Sequence, residues 1–248
     1  MINPFSKIDA TNLNFTLPVS ADVWFDPEEV EMVDICIEGF DQPGVKDELL
    51  KVYASWDVDV TDDGSKSDDF MYALAPPGVH CNEDIIKRAK TDTFLEHTPE
   101  YCELNRHFSY AVFGPQQKVI GVVTGNFVIS GDYEINAKKR DSKEIIVSCH
   151  VDAVEMSPEY RGKGFGTLVS AMLAEAGCVY FDRVFEQIPQ DEIRKLNFTP
   201  RVSAELYSRS GHNWFEHLTE DWSREMTGLL SVYVPPSRIN EIEYDAGL

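Results

Sequence analysis

Long apolar runs are missing from this chain of 248 residues. None approaches the ~20 consecutive apolar residues of a membrane span. The opening MINPFSKIDATN also lacks the basic stretch and apolar segment of a secretory signal. A cytoplasmic protein with no membrane partner is therefore expected. Cysteines are few: Cys36, Cys81, Cys102, Cys149 and Cys178 are odd in number, widely spaced and form no C-x-x-C pair. That pattern argues against a disulfide framework and against a zinc site. Basic residues are scarce as well, with 22 Lys and Arg against 43 Asp and Glu, a net charge of −21. Residues 22–69 alone carry sixteen acids and three bases. Such a surface repels nucleic-acid backbones and attracts cations. No nucleic-acid partner is expected, and two readings of the acidity stay open: a highly solvated or salt-adapted surface, or an acidic border to the entrance for a basic molecule. Repeats and low-complexity tracts are absent. The spacing Asp59-x-Thr61-x-Asp63-Gly64 is that of the start of a calcium loop, but Phe70 stands where the bidentate Glu is needed, so no metal is expected.

What is present is concentrated in residues 144–177, EIIVSCHVDAVEMSPEYRGKGFGTLVSAMLAEAG. Residues 144–156 are apolar or small at nearly every position and rich in β-branched side chains, the pattern of a strand buried on both faces. Phe165, Leu168, Val169, Met172, Leu173 and Ala176 follow at i, i+3, i+4, i+7, i+8 and i+11, one apolar stripe of an α-helix, and Gly177 stands where a C′ glycine would end it. Between strand and helix, Gly162, Gly164 and Gly166 let the backbone N–H groups of a tight turn face a ligand. The first amides of a helix lack intrahelical acceptors and lie at the positive end of its dipole, so the natural ligand is a phosphate. Neither the G-x-G-x-x-G nor the G-x-x-x-x-G-K-[ST] pattern occurs here.

Val154, Met156, Pro158, Arg161, Gly164 and Gly166 instead match two apolar residues one apart, a proline and [QR]-x-x-G-x-[GA]. This resembles the signature of the GNAT superfamily of N-acetyltransferases. The resemblance implies a single α/β (α+β) domain over residues 30–235, preceded by an extension (1–29) and followed by a tail (236–248). Its sheet would be mixed, mostly antiparallel and six- to seven-stranded, splayed between strands 4 and 5 and flanked by helices on both faces. The rest of the chain is read against that order. Residues 14–17 allow a short strand, 30–37 a strand and 45–56 a helix. Asn82 caps a second helix whose buried side includes Ile85, Ile86, Ala89 and Phe94. Residues 108–113 and 118–129 form a hairpin about Gly114-Pro115, and 131–143 lead into the strand at 144. Residues 178–184 read as the fifth strand and 185–198 as a long link with an inserted helical turn. Residues 204–212 resemble the family's fourth-helix ending through Ala204, Leu206, Tyr207 and Gly211, with His212 and Pro200 departing from its usual Phe and Asn. Residues 214–218 and 229–234 read as closing strands, and Pro235-Pro236 ends the fold.

The resemblance also assigns roles. Acetyl-CoA, the acyl donor, would lie in the splay, its pantetheine pairing with Val154, Glu155 and Met156 as an added strand. Its pyrophosphate would rest on the amides of Gly162, Lys163, Gly164, Phe165, Gly166 and Thr167, helped by Arg161 and Lys163. The acceptor, a primary amine of a small molecule or basic peptide, would attack the thioester directly. Tyr207 matches the general acid, leaving Cys149 and Cys178 as packing residues. Candidate bases are His150 and Asp152, two apart and so on one strand face, Glu155 on the opposite face, and Asp182 in the expected fifth strand. Ser148 replaces the glutamate of histone-directed members. A catalytically silent CoA-binding or regulatory domain that meets a basic partner is the alternative, and an acyl-homoserine-lactone-type synthase shares the fold with a different donor. The acceptor, the acyl chain and the oligomeric state stay open, a homodimer included.

Overall fold

The computed structural model describes residues 5, 8–13, 19–21, 30–34, 94–97, 101–114, 118–132, 144–205 and 209–247. Its strands are β1 (Val19–Ala21), β2 (Val30–Asp34), β3 (Phe94–His97), β4 (Tyr101–Gly114), β5 (Lys118–Asp132), β6 (Glu144–Met156), β7 (Asn197–Glu205) and β8 (Glu243–Gly247). Its helices are α1 (Phe165–Phe185), α2 (Gln190–Ile193) and α3 (Arg209–Tyr233), with 3-10 turns at Ala10–Leu13, Pro158–Tyr160 and Pro236–Arg238. The strands form one mixed sheet in the order β1-β2-β4-β5-β6-β7-β8, with β3 pairing β4. All pairings are antiparallel except β6 with β7 and β7 with β8. The fold is thus an α/β, mostly antiparallel open sheet, one strand larger than expected. Among the described residues, no helix is long and apolar enough to cross a membrane.

The two faces of the sheet differ in chemistry. On one, Phe108, Val123, Phe127, Ile145, Val147, Cys149, Val151 and Val202 are buried against α1 and α3, and Phe127 sits at the centre. Its ring centroid lies 4.6 Å from Phe108, 5.8 Å from Tyr180, 6.1 Å from Phe181 and 6.1 Å from Trp222. This aromatic layer, rather than helix propensity, holds α1 and α3 in place. Arg106 is buried in the same layer, donating to the Leu13 carbonyl at 3.1 Å and lying 5.3 Å from the Tyr180 ring centre.

Five expectations are corrected here. Gly177 does not end the helix. α1 runs through it to Phe185, because a Cβ at Gly177 would lie 2.3 Å from Trp222 Cζ3 and 3.1 Å from Phe127 Cε1. The glycine makes room for a ring rather than capping a helix. Residues 178–184 are therefore helical, and the strand parallel to β6 is Asn197–Glu205. Residues 214–218 and 229–233 belong to α3, where Trp214, Leu218, Trp222, Met226 and Leu230 recur every fourth residue and are buried, as is Val234 just past its end. Phe94 lies in β3, not in a helix. The stretch read as a tail supplies β8, which pairs in parallel with β7 from Arg201↔Glu243 to Glu205↔Gly247. The expected helices at 45–56 and after Asn82, and the strand at 14–17, lie outside the described residues, as does the stretch 35–37 of the first strand.

Candidate functional site

The signature stretch folds locally as its residues require. β6 spans Glu144–Met156 as expected, and its pairing holds two irregularities that shape the site. Opposite β5, Gly125 faces Val151 and Thr124 faces Ala153, so Asp152 is the extra residue of a β-bulge. A bulge bends the strand and reverses the alternation beyond it. Pairing with β7 ends at Val151↔Ala204. From Asp152 to Met156, β6 has a strand partner on its β5 side alone among the described residues. The pairing stops there because β7 itself ends one residue on, at Glu205.

The bulge changes one assignment. His150, Ala153 and Glu155 stand opposite Asn126, Thr124 and Val122, which alternate on one face of β5. Glu155 therefore shares the face of His150 rather than lying opposite it. Val154 and Met156, opposite Val123 and Gly121, turn to the apolar side and pack on the core.

Beyond Met156 the Ser157 amide donates to the Ile120 carbonyl at 2.7 Å, and the turn Pro158–Tyr160 leads into the glycines. Gly162 (φ 70°) and Gly164 (φ 89°) adopt left-handed backbone that other residues take at a cost. Gly164 is the N-cap of α1 and brings no side-chain cap. Its carbonyl accepts from Thr167 N–H at 3.1 Å, while the N–H groups of Phe165 and Gly166 have no backbone acceptor among the described residues. Gly164 is exposed, and nothing lies within 4 Å of a Cβ built on Gly162 or Gly164. The first turn of α1 is pinned from α3: Trp214 Nε1 donates to the Gly166 carbonyl at 2.9 Å, and Ser170 Oγ donates to Asp221 at 2.8 Å.

Charge around this turn is positive, against the sign of the whole chain. Lys163 Nζ and Lys118 Nζ lie 5.5 and 5.7 Å from the Tyr160 ring centre, and Tyr160 packs edge-on against Phe165 at 5.5 Å. Lys118, at the start of β5, is a residue that the sequence reading missed. Its ion pair with Glu159 at 2.6 Å is exposed and of little energetic weight. Arg161 differs from expectation. Its Nε donates to the Met156 carbonyl at 2.9 Å and its Nη2 meets the Glu155 carboxylate, which is 8% exposed. The guanidinium fastens the end of β6 to the glycine turn, so its first role is to hold the turn and not to meet a ligand. By the same contact Glu155 is held by a cation and is poorly suited to act as a base.

The remaining candidates divide clearly. His150 Nδ1 lies 2.9 Å from Ser203 Oγ across the β6–β7 pair, and its Nε2 lies 3.6 Å from Asp152 Oδ1. Ser203 is a second residue missed from sequence, because the strand that carries it was misplaced. Asp182 is not at the site: it lies in α1 about 25 Å along the helix from Phe165, where it accepts from the Tyr233 hydroxyl at 2.5 Å. Tyr207 lies outside the described residues. Of the expected helix ending, Ala204 belongs instead to β7 and Gly211 to the first turn of α3. Cys149 is fully buried and its thiol is pushed up, by burial first and then by the Asp152 charge. Burial, followed by the charges of Glu225, Asp182 and Glu175, pushes the Cys178 thiol up to about 12. Both thiols are poor nucleophiles, consistent with packing roles. Among the described residues no group of three or more His, Cys, Asp and Glu side chains is placed to hold a metal.

The second sheet face, to which His150 belongs, is polar. One row crosses four strands: His107 opposite Asn126, Asn126 opposite His150, and His150 opposite Ser203. Thr124, 1% exposed, stands on the same face two residues from Asn126. The Oγ1 of Thr124 and the Oδ1 atoms of Asn105 and Asn126 are buried without a hydrogen-bond partner among the described residues. Alternation in β5 carried this signal in the sequence: Val123 and Phe127 against Thr124 and Asn126.

Against known proteins, the chain matches no family model, no curated protein and no solved structure.

Proposed function

We propose that the protein is an acetyl-CoA-dependent N-acyltransferase acting on a primary amine. One juxtaposition carries the reading: the β6 edge that beyond Val151 has no partner strand on its β7 side among the described residues runs directly into a glycine turn that presents the Phe165 and Gly166 amides at the start of a 21-residue helix. An extended chain with amide groups can pair with such an edge, and a pyrophosphate suits such amides. Pantetheine and pyrophosphate are joined in that order in CoA. Lys163 and Lys118 add positive charge at the phosphate end.

The reaction then follows from position. The amine nitrogen attacks the thioester carbonyl carbon, the N–C bond forms, the C–S bond breaks and CoA leaves as the thiolate. The ammonium of the acceptor must first lose a proton, since an alkyl amine has a pKa near ~10.4. Asp152 and His150 stand where the β6–β7 pairing ends, with Ser203 holding the ring, and are the groups to receive that proton. Tyr207 stays the proposed donor of a proton to the departing thiolate. No covalent intermediate is required, so most of the acceleration would come from holding the two substrates together. A catalytically silent CoA-binding domain is the second reading. It is favoured by the Arg161 contact that removes Glu155 from the candidate bases.

The test is calorimetric titration of CoA into wild type, Gly164→Ala and Gly164→Glu. Both variants meet the same left-handed backbone, and neither Cβ meets a neighbour. Gly164→Ala is expected to keep affinity within a few-fold and Gly164→Glu, which adds bulk and negative charge, to abolish it. Equal affinity of all three would refute the reading.

A further inference from the structure

We infer that the outer edge of β8 is a docking site for an extended basic segment of another protein, which adds to the sheet as its next strand. β8 (Glu243–Gly247) is the last strand in the sheet order, and among the described residues its one strand partner is β7. In a parallel pair alternate residues direct their N–H and C=O groups to the neighbour and the rest direct theirs outward. The outer side of β8 therefore carries a short ladder of backbone donors and acceptors. Three successive residues, Glu243, Tyr244 and Asp245, are exposed, and successive side chains of a strand lie on opposite faces. Neither face of β8 is covered at these positions.

The side chains select the occupant. Glu243 and Asp245 stand opposite Arg201 and Ser203 of β7, on the polar face of the sheet, while Tyr244 stands opposite the buried Val202, on the helix face. Arg201 Nε donates to Glu243 Oε2 at 3.0 Å, which holds that carboxylate along the sheet. Tyr244 is 70% exposed, although the flanking Ile242 and Ala246 pack on the core. Native sheets blunt an outer strand with Lys, Pro or inward-pointing charge. Residues 243–247 hold no Lys, Arg or Pro, and both of their charges are negative. An added strand meets carboxylates on one face and a phenol ring on the other, so Lys or Arg at every second position with apolar residues between them matches both faces. A second copy of this chain fits poorly. Antiparallel pairing of β8 about its own centre sets Glu243 against Asp245 of the other copy, and like charges directly opposite are destabilising. β8 lies two strands from β6, so this edge is separate from the glycine turn, and its occupancy does not depend on the N-acyltransferase reading.

The experiment is fluorescence anisotropy of short labelled peptides titrated with the full chain in about 150 mM NaCl, where charges more than about 8 Å apart are largely screened. The probe alternates Lys with Val and Thr. One control replaces every Lys by Glu; the other keeps every Lys but has Pro at the positions between, which removes ladder donors and resists pairing. The probe is expected to bind at least about tenfold more tightly than the Pro peptide, the effect of losing a few ladder hydrogen bonds, and the Glu peptide not measurably. Asp245→Lys should weaken the probe at least about tenfold through like-charge opposition, and Tyr244→Ala several-fold; both positions are exposed, so the fold tolerates either change. Equal binding of the Lys and Pro peptides, or a probe affinity indifferent to both substitutions, assigns the attraction to the net charge of −21 alone and overturns the inference. No binding of the probe by the folded chain overturns it as well and leaves the carboxylates as protection of the edge. A dimer in sedimentation equilibrium that Tyr244→Ala dissociates also overturns it, giving the edge to a second copy.

Discussion

Replacing Gly177 with Ala is predicted to destabilise the protein, although Ala is the better helix former. In the interior of an exposed helix the change gains about 0.5–1 kcal/mol. At Gly177 the new methyl would lie 2.3 Å from Trp222 Cζ3, 2.6 Å from Cη2 and 3.1 Å from Phe127 Cε1. Both rings are fully buried and stacked on one another at 6.1 Å, so neither can retreat without moving the layer between β5, α1 and α3. Overpacking of this kind costs about 1–3 kcal/mol, with the propensity gain already inside what is measured. The net expectation is a loss of about 1–3 kcal/mol in ΔG of unfolding, read from urea curves with an unchanged slope. Gly228 provides the control. It lies in α3 with nothing within 4 Å of a Cβ, and Gly228→Ala should stabilise by about 0.5–1 kcal/mol. A second control uses Trp222→Leu, which removes the obstructing ring. In that background Gly177→Ala should become neutral or stabilising, a coupling of about 1.5 kcal/mol or more, within the range for residues in contact. Stabilisation by Gly177→Ala alone, or an equal loss with and without Trp222, would refute the packing account of this glycine.

Arg161→Met leaves the Glu155 carboxylate, 8% exposed, without its cation; a loss of about 1–3 kcal/mol is expected, together with at least tenfold weaker CoA binding by calorimetry. Gly164→Ala is predicted to cost about 1–2 kcal/mol in urea unfolding from backbone strain alone, since φ is 89° and no atom obstructs the methyl. With its thiol near 12, Cys178 at pH 8 has a thiolate fraction of about one in ten thousand, against roughly one in four for an ordinary cysteine. Site-resolved mass spectrometry should find iodoacetamide labelling of Cys178 roughly a thousandfold slower than in the unfolded chain, and Cys149 labelled only on unfolding. Rapid native labelling of either would contradict the burial. Because the net charge is −21, added NaCl should raise the urea midpoint by screening self-repulsion; a midpoint that falls would contradict this.

The strand–turn–helix end of the candidate site was legible because its information is local. A 13-residue stretch rich in apolar and β-branched side chains gives β6 between Glu144 and Met156, three glycines within five residues give a turn, and a stripe at i, i+3, i+4 starts α1 at Phe165. Each depends on neighbours within a few positions. The same is true of the β4–β5 hairpin, whose turn residues and alternation lie side by side. The polar sheet face was not legible. The side of the sheet on which Glu155 lies is set by a bulge at Asp152, and a bulge exists only in relation to the partner strand, here Thr124 and Gly125. Ser203 reaches His150 only once Asn197–Glu205, and not residues 178–184, is the strand beside β6.

That misplacement traces to one residue. By sequence alone Gly177 is a helix terminator, and everything after it shifts: a strand in place of the second half of α1, a helix ending in place of β7, two strands in place of α3. The residue that gives Gly177 its other meaning is Trp222, 45 positions away and brought to it by packing of α3 on α1. Composition and periodicity thus determined a strand, a glycine turn and a helix suited to a pyrophosphate. Tertiary structure decided where the helix stops, which strand follows it and which polar side chains share a face, because those depend on contacts between residues far apart in the chain.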